Sequence, residues 1–374
     1  MPRRASLILP LLALPALIGC SGKPDAPLPL SPGALSAVAE KPGVSRTRLA
    51  RAADALFADP EVGETRALVV LYQGKVVAER YAPGYDAKTR FLGWSMTKCV
   101  TAALTGLLVA DGRLRLDEPA PIKTWQRPGD ARGEITLRQL LQMRSGLRHT
   151  EESDPRYKAD TVRMLFLDGR DDMAAYAEAQ PLEAEPGVKW EYSSGTSVIL
   201  ADAAAGALTE SRDPRLRRQA VNEYLRTRLF EPLGMRSAVP EFDAAGTLIG
   251  GSMLHANARD WARFGEFLRN GGAVTGAQIL PRGWVEFMTA PSPRNPGYGA
   301  QLWLNRPQPD GNEVLFPGAA PASLFACIGH LGQYILVSPS QRLTIVRLGK
   351  ADDDARGQVR RRLGELVGVF SKAP

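Results

Sequence analysis

Ser95 and Lys98 stand three residues apart in GWSMTKC, Gly93 to Cys99, directly ahead of the apolar run Val100 to Ala110. At that offset on a helix the two side chains share one face. A helix start also offers unpaired N–H groups and partial positive charge. Both favour an alkoxide on Ser95 and an oxyanion held at its own backbone N–H. Lysine serves as a base only when its pKa falls, and burial lowers it. The run that follows is apolar nearly all round, so this helix is expected in the core with Lys98 buried at its first turn. Lys98 is the only lysine with a serine at that offset. Serine is equally a preferred N-cap, so the spacing alone leaves two readings open, nucleophile or cap.

Two further stretches could complete a site. Tyr192-Ser193-Ser194 follows the turn signal Pro186-Gly187 and precedes a helical run. A tyrosine at the mouth of a helix could present its hydroxyl to Ser95, as a phenolate or as a proton relay with Lys98. His330-Leu331-Gly332-Gln333 lies between two strand-like runs. There a glycine allows close approach to backbone, the Gln333 N–H could be a second oxyanion donor, and His330 could bind a substrate oxygen. The bland readings are a packed aromatic beside a serine-rich cap and a hairpin turn with a solvated histidine. A G-x-S-x-G elbow around Ser95 is disfavoured, because Thr97 stands where its second glycine belongs.

The elements that must position these residues follow from pattern. SRTRLARAADALFADP reads as an amphipathic helix starting near Ser45. ALVVLYQGKVVAERYA reads as a β-hairpin turning at Gln73-Gly74. The GWSMTKC helix stops at Asp111-Gly112. From about 116 to 281 the pattern is mostly helix and loop, with Thr136 and Asn257 as caps. Strand patterns return in GAQLWLN, ASLFACIG, QYILVSP and LTIVRLG, before a final helix, GQVRRRLGELVGVF. Strands at both ends with helices between predict an α+β fold. Its antiparallel sheet is flanked by helices and interrupted by a mostly helical lobe.

At 374 residues, 44% hydrophobic and 23% charged, the chain can bury a large core. The formal charge of +7 is spread along the chain, with no basic block interleaved with aromatics, so no nucleic-acid partner is expected. His149, His255 and His330 show no metal-ligand spacing, and neither metal nor cofactor is expected. Residues 1–19 read as a lipoprotein signal peptide: basic MPRR, an apolar stretch too short to span a bilayer, then Leu17-Ile18-Gly19-Cys20. Cys20 is then the lipidated residue, 20–43 a flexible tether and 44–374 the catalytic domain, held in a bacterial cell envelope, periplasmic or extracytoplasmic. Ser21 after the cysteine is compatible with the outer membrane. Cys99 and Cys327, isolated in apolar segments, read as buried thiols, although an oxidising compartment permits them to pair.

The ordered set S-x-x-K, Y-x-S and H-x-G resembles the serine β-lactamase and penicillin-binding-protein superfamily. Its class C-like branch, with family VIII-type esterases and 6-aminohexanoate-dimer hydrolases, is the most similar. The stretches that carry the likeness are RFLGWSMTKCVTAALTGLLVADGRL, TLRQLLQMRSGL, PGVKWEYSSGTS, ARDWARFGEFL and GHLGQYILVSP. The resemblance implies Ser95 as acylated nucleophile, Lys98 and Tyr192 as the proton-transfer pair, and Ser95 and Gln333 N–H groups as oxyanion hole. It also implies that His330, Gly332 and Ser194 shape the substrate side. True β-lactamases of this branch carry asparagine where Ser194 stands and lysine where His330 stands. A largely neutral histidine holds a substrate carboxylate weakly, which favours small esters or amides over penicillins. The rivals are a D-alanyl carboxypeptidase or weak β-lactamase, and a non-catalytic binding lipoprotein on the same fold.

Overall fold

The computed structural model describes residues 29–370. Six strands form the main sheet: β1 (Glu64–Tyr72), β2 (Lys75–Tyr81), β3 (Trp303–Leu304), β4 (Phe325–Gly329), β5 (Gln333–Ser338) and β6 (Leu343–Lys350). Their order is β2-β1-β6-β5-β4-β3, with every neighbouring pair antiparallel. The first hairpin therefore pairs directly with the last strand, Val69 opposite Val346. The turn at Gln73-Gly74 forms as expected, with φ of 53° and 79°, the left-handed values a two-residue hairpin needs.

Alternation along the strands sorts side chains to two faces. Leu68, Val70, Tyr334, Leu336 and Ile345 join one core cluster with α1 (Arg46–Ala58). Val69, Ile335, Val337 and Val346 join the other, which contains α2 (Thr97–Ala110), α3 (Ser194–Leu208) and α4 (Ala258–Arg269). The final helix α5 (Asp353–Gly368) packs beside α1. The expected caps are in place. Ser45 accepts from the Arg48 N–H, Thr136 forms a capping box with Gln139, and Asn257 accepts from the Asp260 N–H.

Two expectations need correction. GAQLWLN holds only the two-residue β3, after which the Asn305 side-chain amide donates to the Ala320 and Pro321 carbonyls. The inserted lobe is mostly helical as expected, and Val239–Pro240 and Leu254–Asn257 in it pair in a small sheet with Arg90–Leu92. The second correction concerns the tether. Residues 1–28, on which the expected signal peptide and lipidated Cys20 fall, lie outside the described residues, but 29–43 pack on the domain. Ala34 and Val38 are buried. Ala39 N–H donates to the Val77 carbonyl and Glu79 N–H to the Ala37 carbonyl, both at 2.9 Å. Ser31 N–H reaches Asp54 at 2.8 Å, and Asp54 pairs with Arg80 of β2. An edge strand has backbone groups to satisfy, and this segment brings two apolar side chains and a backbone to do so.

Candidate active site

The Ser95 segment sits between the two layers. Trp94–Met96 form a short 3-10 turn, and α2 begins at Thr97. Trp94 has φ of 48°, uncommon for a residue with a side chain. Neither the turn nor α2 carries a side-chain cap. Ser95 is therefore not a helix cap. It is half-buried, and its hydroxyl lies 3.0 Å from the Lys98 ammonium nitrogen.

Lys98 is 1% exposed, as the apolar run required. Its Nζ also donates to Ser194 Oγ at 2.8 Å and to the Gly251 carbonyl at 2.9 Å. Burial pushes its pKa down to about 8, against an opposing pull from the Glu151 charge. Tyr192 lies beside Ser95, close enough to interact with its hydroxyl, and its ring centroid lies 4.9 Å from Lys98 Nζ. Burial, then the Glu151 charge, raise the phenol well above its ordinary value. Near neutral pH this favours the hydroxyl as a relay over the phenolate. Trp303 stacks on Tyr192 at 5.5 Å, and Tyr298 meets it edge-on at 5.9 Å, so the phenol is held in an aromatic wall.

The β4–β5 turn closes the opposite side. Gly329 at the end of β4 comes so close to the Ser95 segment that a Cβ on it would lie 2.2 Å from the Gly93 carbonyl. Gly332 turns the other way, where a Cβ would lie 2.6 Å from Arg347 Nη1. The glycine that approaches the Ser95 segment is thus Gly329, three places before the one in H-x-G that the sequence singles out. Gln333 gives its side-chain amide to the His330, Leu331 and Gly349 carbonyls. The His330 ring meets Trp94 edge-on at 5.3 Å. Burial lowers its pKa, with Glu152, Arg356, Asp353 and Arg156 charges partly cancelling around it.

Glu151 is the residue that sequence pattern does not reveal. Its carboxylate accepts from Ser194 Oγ at 2.7 Å and from the Ser194 N–H, Thr161 Oγ1 and His149 Nε2 at 2.8 Å. Burial alone would raise its pKa. The His149 bond, the Lys98 charge and the Ser194 hydroxyl outweigh burial and hold it at about 2. Gly251 is the other unforeseen member, and the Gly250-Gly251 pair in sequence was its only signal. Cys99 and Cys327 are joined in a disulfide with Cα atoms 6.2 Å apart, which corrects the reading as thiols. The bond ties α2, one residue past Lys98, to β4, two residues before Gly329. Two apolar segments 228 residues apart carry no sequence signal of being neighbours.

A half-exposed serine bonded to a buried lysine on this sheet-and-helix frame defines a serine-type hydrolase with the β-lactamase and transpeptidase fold. The family profile named Beta-lactamase matches residues 61–368, and the chain belongs to that family. It is similar to the 6-aminohexanoate-dimer hydrolase of Paenarthrobacter ureafaciens, with 26% identity over 60% of this chain and 57% of that protein. The match thus spans a little over half of that relative. Among solved structures, a penicillin-binding protein homolog from Caulobacter crescentus aligns with a TM-score of 0.60 and 18% identity, covering 91% of this chain and 98% of that one. A D-stereospecific amidohydrolase from Streptomyces aligns with a TM-score of 0.57 and 22% identity, covering 83% and 97%. At these identities the structures speak for the fold.

Proposed function

We propose that the protein hydrolyses small carboxylic esters or amides through an acyl-enzyme on Ser95. The observation that carries this reading is the 3.0 Å contact between Ser95 Oγ and a lysine with a pKa near 8. Neutral Lys98 takes the Ser95 proton as Oγ attacks the substrate carbonyl carbon. The Tyr192 hydroxyl relays a proton to the departing alcohol or amine, and water then attacks the acyl group with the same base. The oxyanion sits between the Ser95 N–H and an amide of the β4–β5 turn. Two amides there compete, those of Gln333 and His330. The approach of Gly329 to Gly93 favours that of His330, the residue following Gly329.

Substrate class rests on the third motif. A neutral His330 supplies no permanent cation for a substrate carboxylate, and Ser194 stands in place of an amide. Both count against efficient penicillin turnover. The likeness to the 6-aminohexanoate-dimer hydrolase and to the D-stereospecific amidohydrolase supports amide substrates. An address outside the cytoplasm, through a lipid on Cys20, is supported by the lipobox-like Leu17–Cys20 and by the disulfide, which persists in oxidising compartments.

Intact mass after exposure to a fluorophosphonate tests the reading. One adduct is expected on the wild type and none on Ser95→Ala, with ester turnover in that variant down roughly 10⁴-fold or more. Near-wild-type hydrolysis by Ser95→Ala would remove Ser95 from the mechanism. A stable adduct with a penicillin, formed faster than ester turnover, would favour the carboxypeptidase reading instead.

A further inference from the structure

Glu151 takes no direct part in the steps above, yet it is linked to Ser95 through two intervening groups. The chain runs Ser95 Oγ, Lys98 Nζ, Ser194 Oγ and Glu151 Oε1, with successive separations of 3.0, 2.8 and 2.7 Å. Hydrogen inventory fixes its direction. An ionised carboxylate only accepts, and a serine hydroxyl has one proton to give. Ser194 must therefore donate to Glu151 and can only accept from Lys98. The Gly251 carbonyl is likewise an acceptor only. Neutral lysine has two N–H groups and one lone pair. Gly251 and Ser194 take the two N–H groups. The lone pair is left facing the third neighbour, the Ser95 hydroxyl, whose proton it must remove.

We propose that Glu151 is a positioning residue for the base: by fixing Ser194 as an acceptor, it turns the lone pair of neutral Lys98 onto Ser95. The inference rests on the proposed roles of Ser95 and Lys98. It also accounts for serine in the second motif. An asparagine oxygen accepts from lysine unaided, whereas a hydroxyl can point either way and needs a partner to settle it. Glu151 is well suited to that task. Its second oxygen is held by the Ser194 N–H at the start of α3 together with His149 and Thr161. The carboxylate thus stays ionised and in place.

Glu151→Gln keeps the shape but can donate to Ser194. That releases the Ser194 proton to occupy the lysine lone pair. The readout is the rate of Ser95 labelling by a fluorophosphonate, followed from about pH 6 to 10, where the base titrates. Titratable groups facing the cluster are His149 beside Glu151, Tyr192 and Tyr298 from the aromatic wall, and Glu152 toward the mouth. The high-pH plateau is expected to fall roughly 10²-fold. The midpoint is expected to move to lower pH, since the anion that favours the ammonium is gone. Ser194→Ala separates the two effects: it removes the acceptor and keeps the charge, so the plateau falls and the midpoint holds. A role in stability alone would lower the melting temperature and leave the plateau in place.

A folded Glu151→Gln that labels with the wild-type plateau overturns the proposal. If that variant does not fold, wild-type labelling by Ser194→Ala overturns it equally. Failure of the wild type to label on Ser95 is a different result, and it would remove the Ser95–Lys98 reading along with this one.

Discussion

Among the described residues a lysine and an arginine are buried, and their surroundings differ. Lys98 at the start of α2 has a carboxylate two bonds away and sits at 3.0 Å from a hydroxyl that substrate can reach. Arg347, in the middle of β6, is 0% exposed and bonds no carboxylate. Its guanidinium donates to the Gly332, Leu331 and Glu64 carbonyls and to the Thr65 hydroxyl. Burial lowers both, Lys98 to about 8 and Arg347 to about 10. Only the lysine crosses into the range where neutral and charged forms exchange near physiological pH. The arginine stays charged and fastens the β4–β5 turn to β1. Burial by itself thus does not make a base. A group that can shed its proton, next to one that must lose its own, does.

Replacing one cation chemistry with the other should break the contrast most severely. Lys98→Arg keeps the charge and cannot shed it, so Ser95 labelling should fall roughly 10³-fold. In the wild type, labelling should rise as pH passes through about 8, because the active form is the neutral lysine. In the variant that rise should vanish. A variant that keeps the wild-type rate and midpoint would show that Lys98 is not the base.

The disulfide is the covalent link between the two regions. Cys99→Ala with Cys327→Ala should lower unfolding stability by about 2–4 kcal/mol in denaturant melts. The labelling midpoint should stay near that of the wild type, because Lys98 keeps its burial. A shifted midpoint would mean that the bond holds Lys98 itself in place.

Arg347→Lys should have the smallest effect. Three donors replace a fork that makes four bonds, and about 1–3 kcal/mol of stability should be lost through unpaired carbonyls. Labelling should slow at every pH with the same midpoint. A moved midpoint would erase the distinction between the two cations.

What could be read from sequence shares one property, in that it depends on spacing along a single element. Ser95 and Lys98 lie on one turn. Ser45, Thr136 and Asn257 each cap the helix that follows them. Gln73-Gly74 closes a hairpin on its own neighbours. What could not be read depends on segments that meet only in the folded chain. Glu151 reaches Ser194 from a loop with no periodicity. Gly329, rather than Gly332, closes on Gly93, because the turn's orientation is set by Arg347 and Gln333 from within the sheet. The pairing of β1 with β6 and the disulfide both join opposite ends of the sequence. The antiparallel class of the sheet was legible, and its strand order was not.

The docking of residues 29–39 on β2 has a practical side. That edge lies four strand spacings from β4, roughly 19 Å at the usual separation. The described chain thus begins on the flank of the sheet away from Ser95. A support or fusion partner joined directly at residue 29 should therefore leave Ser95 unobstructed, and an insertion near Trp303 should not.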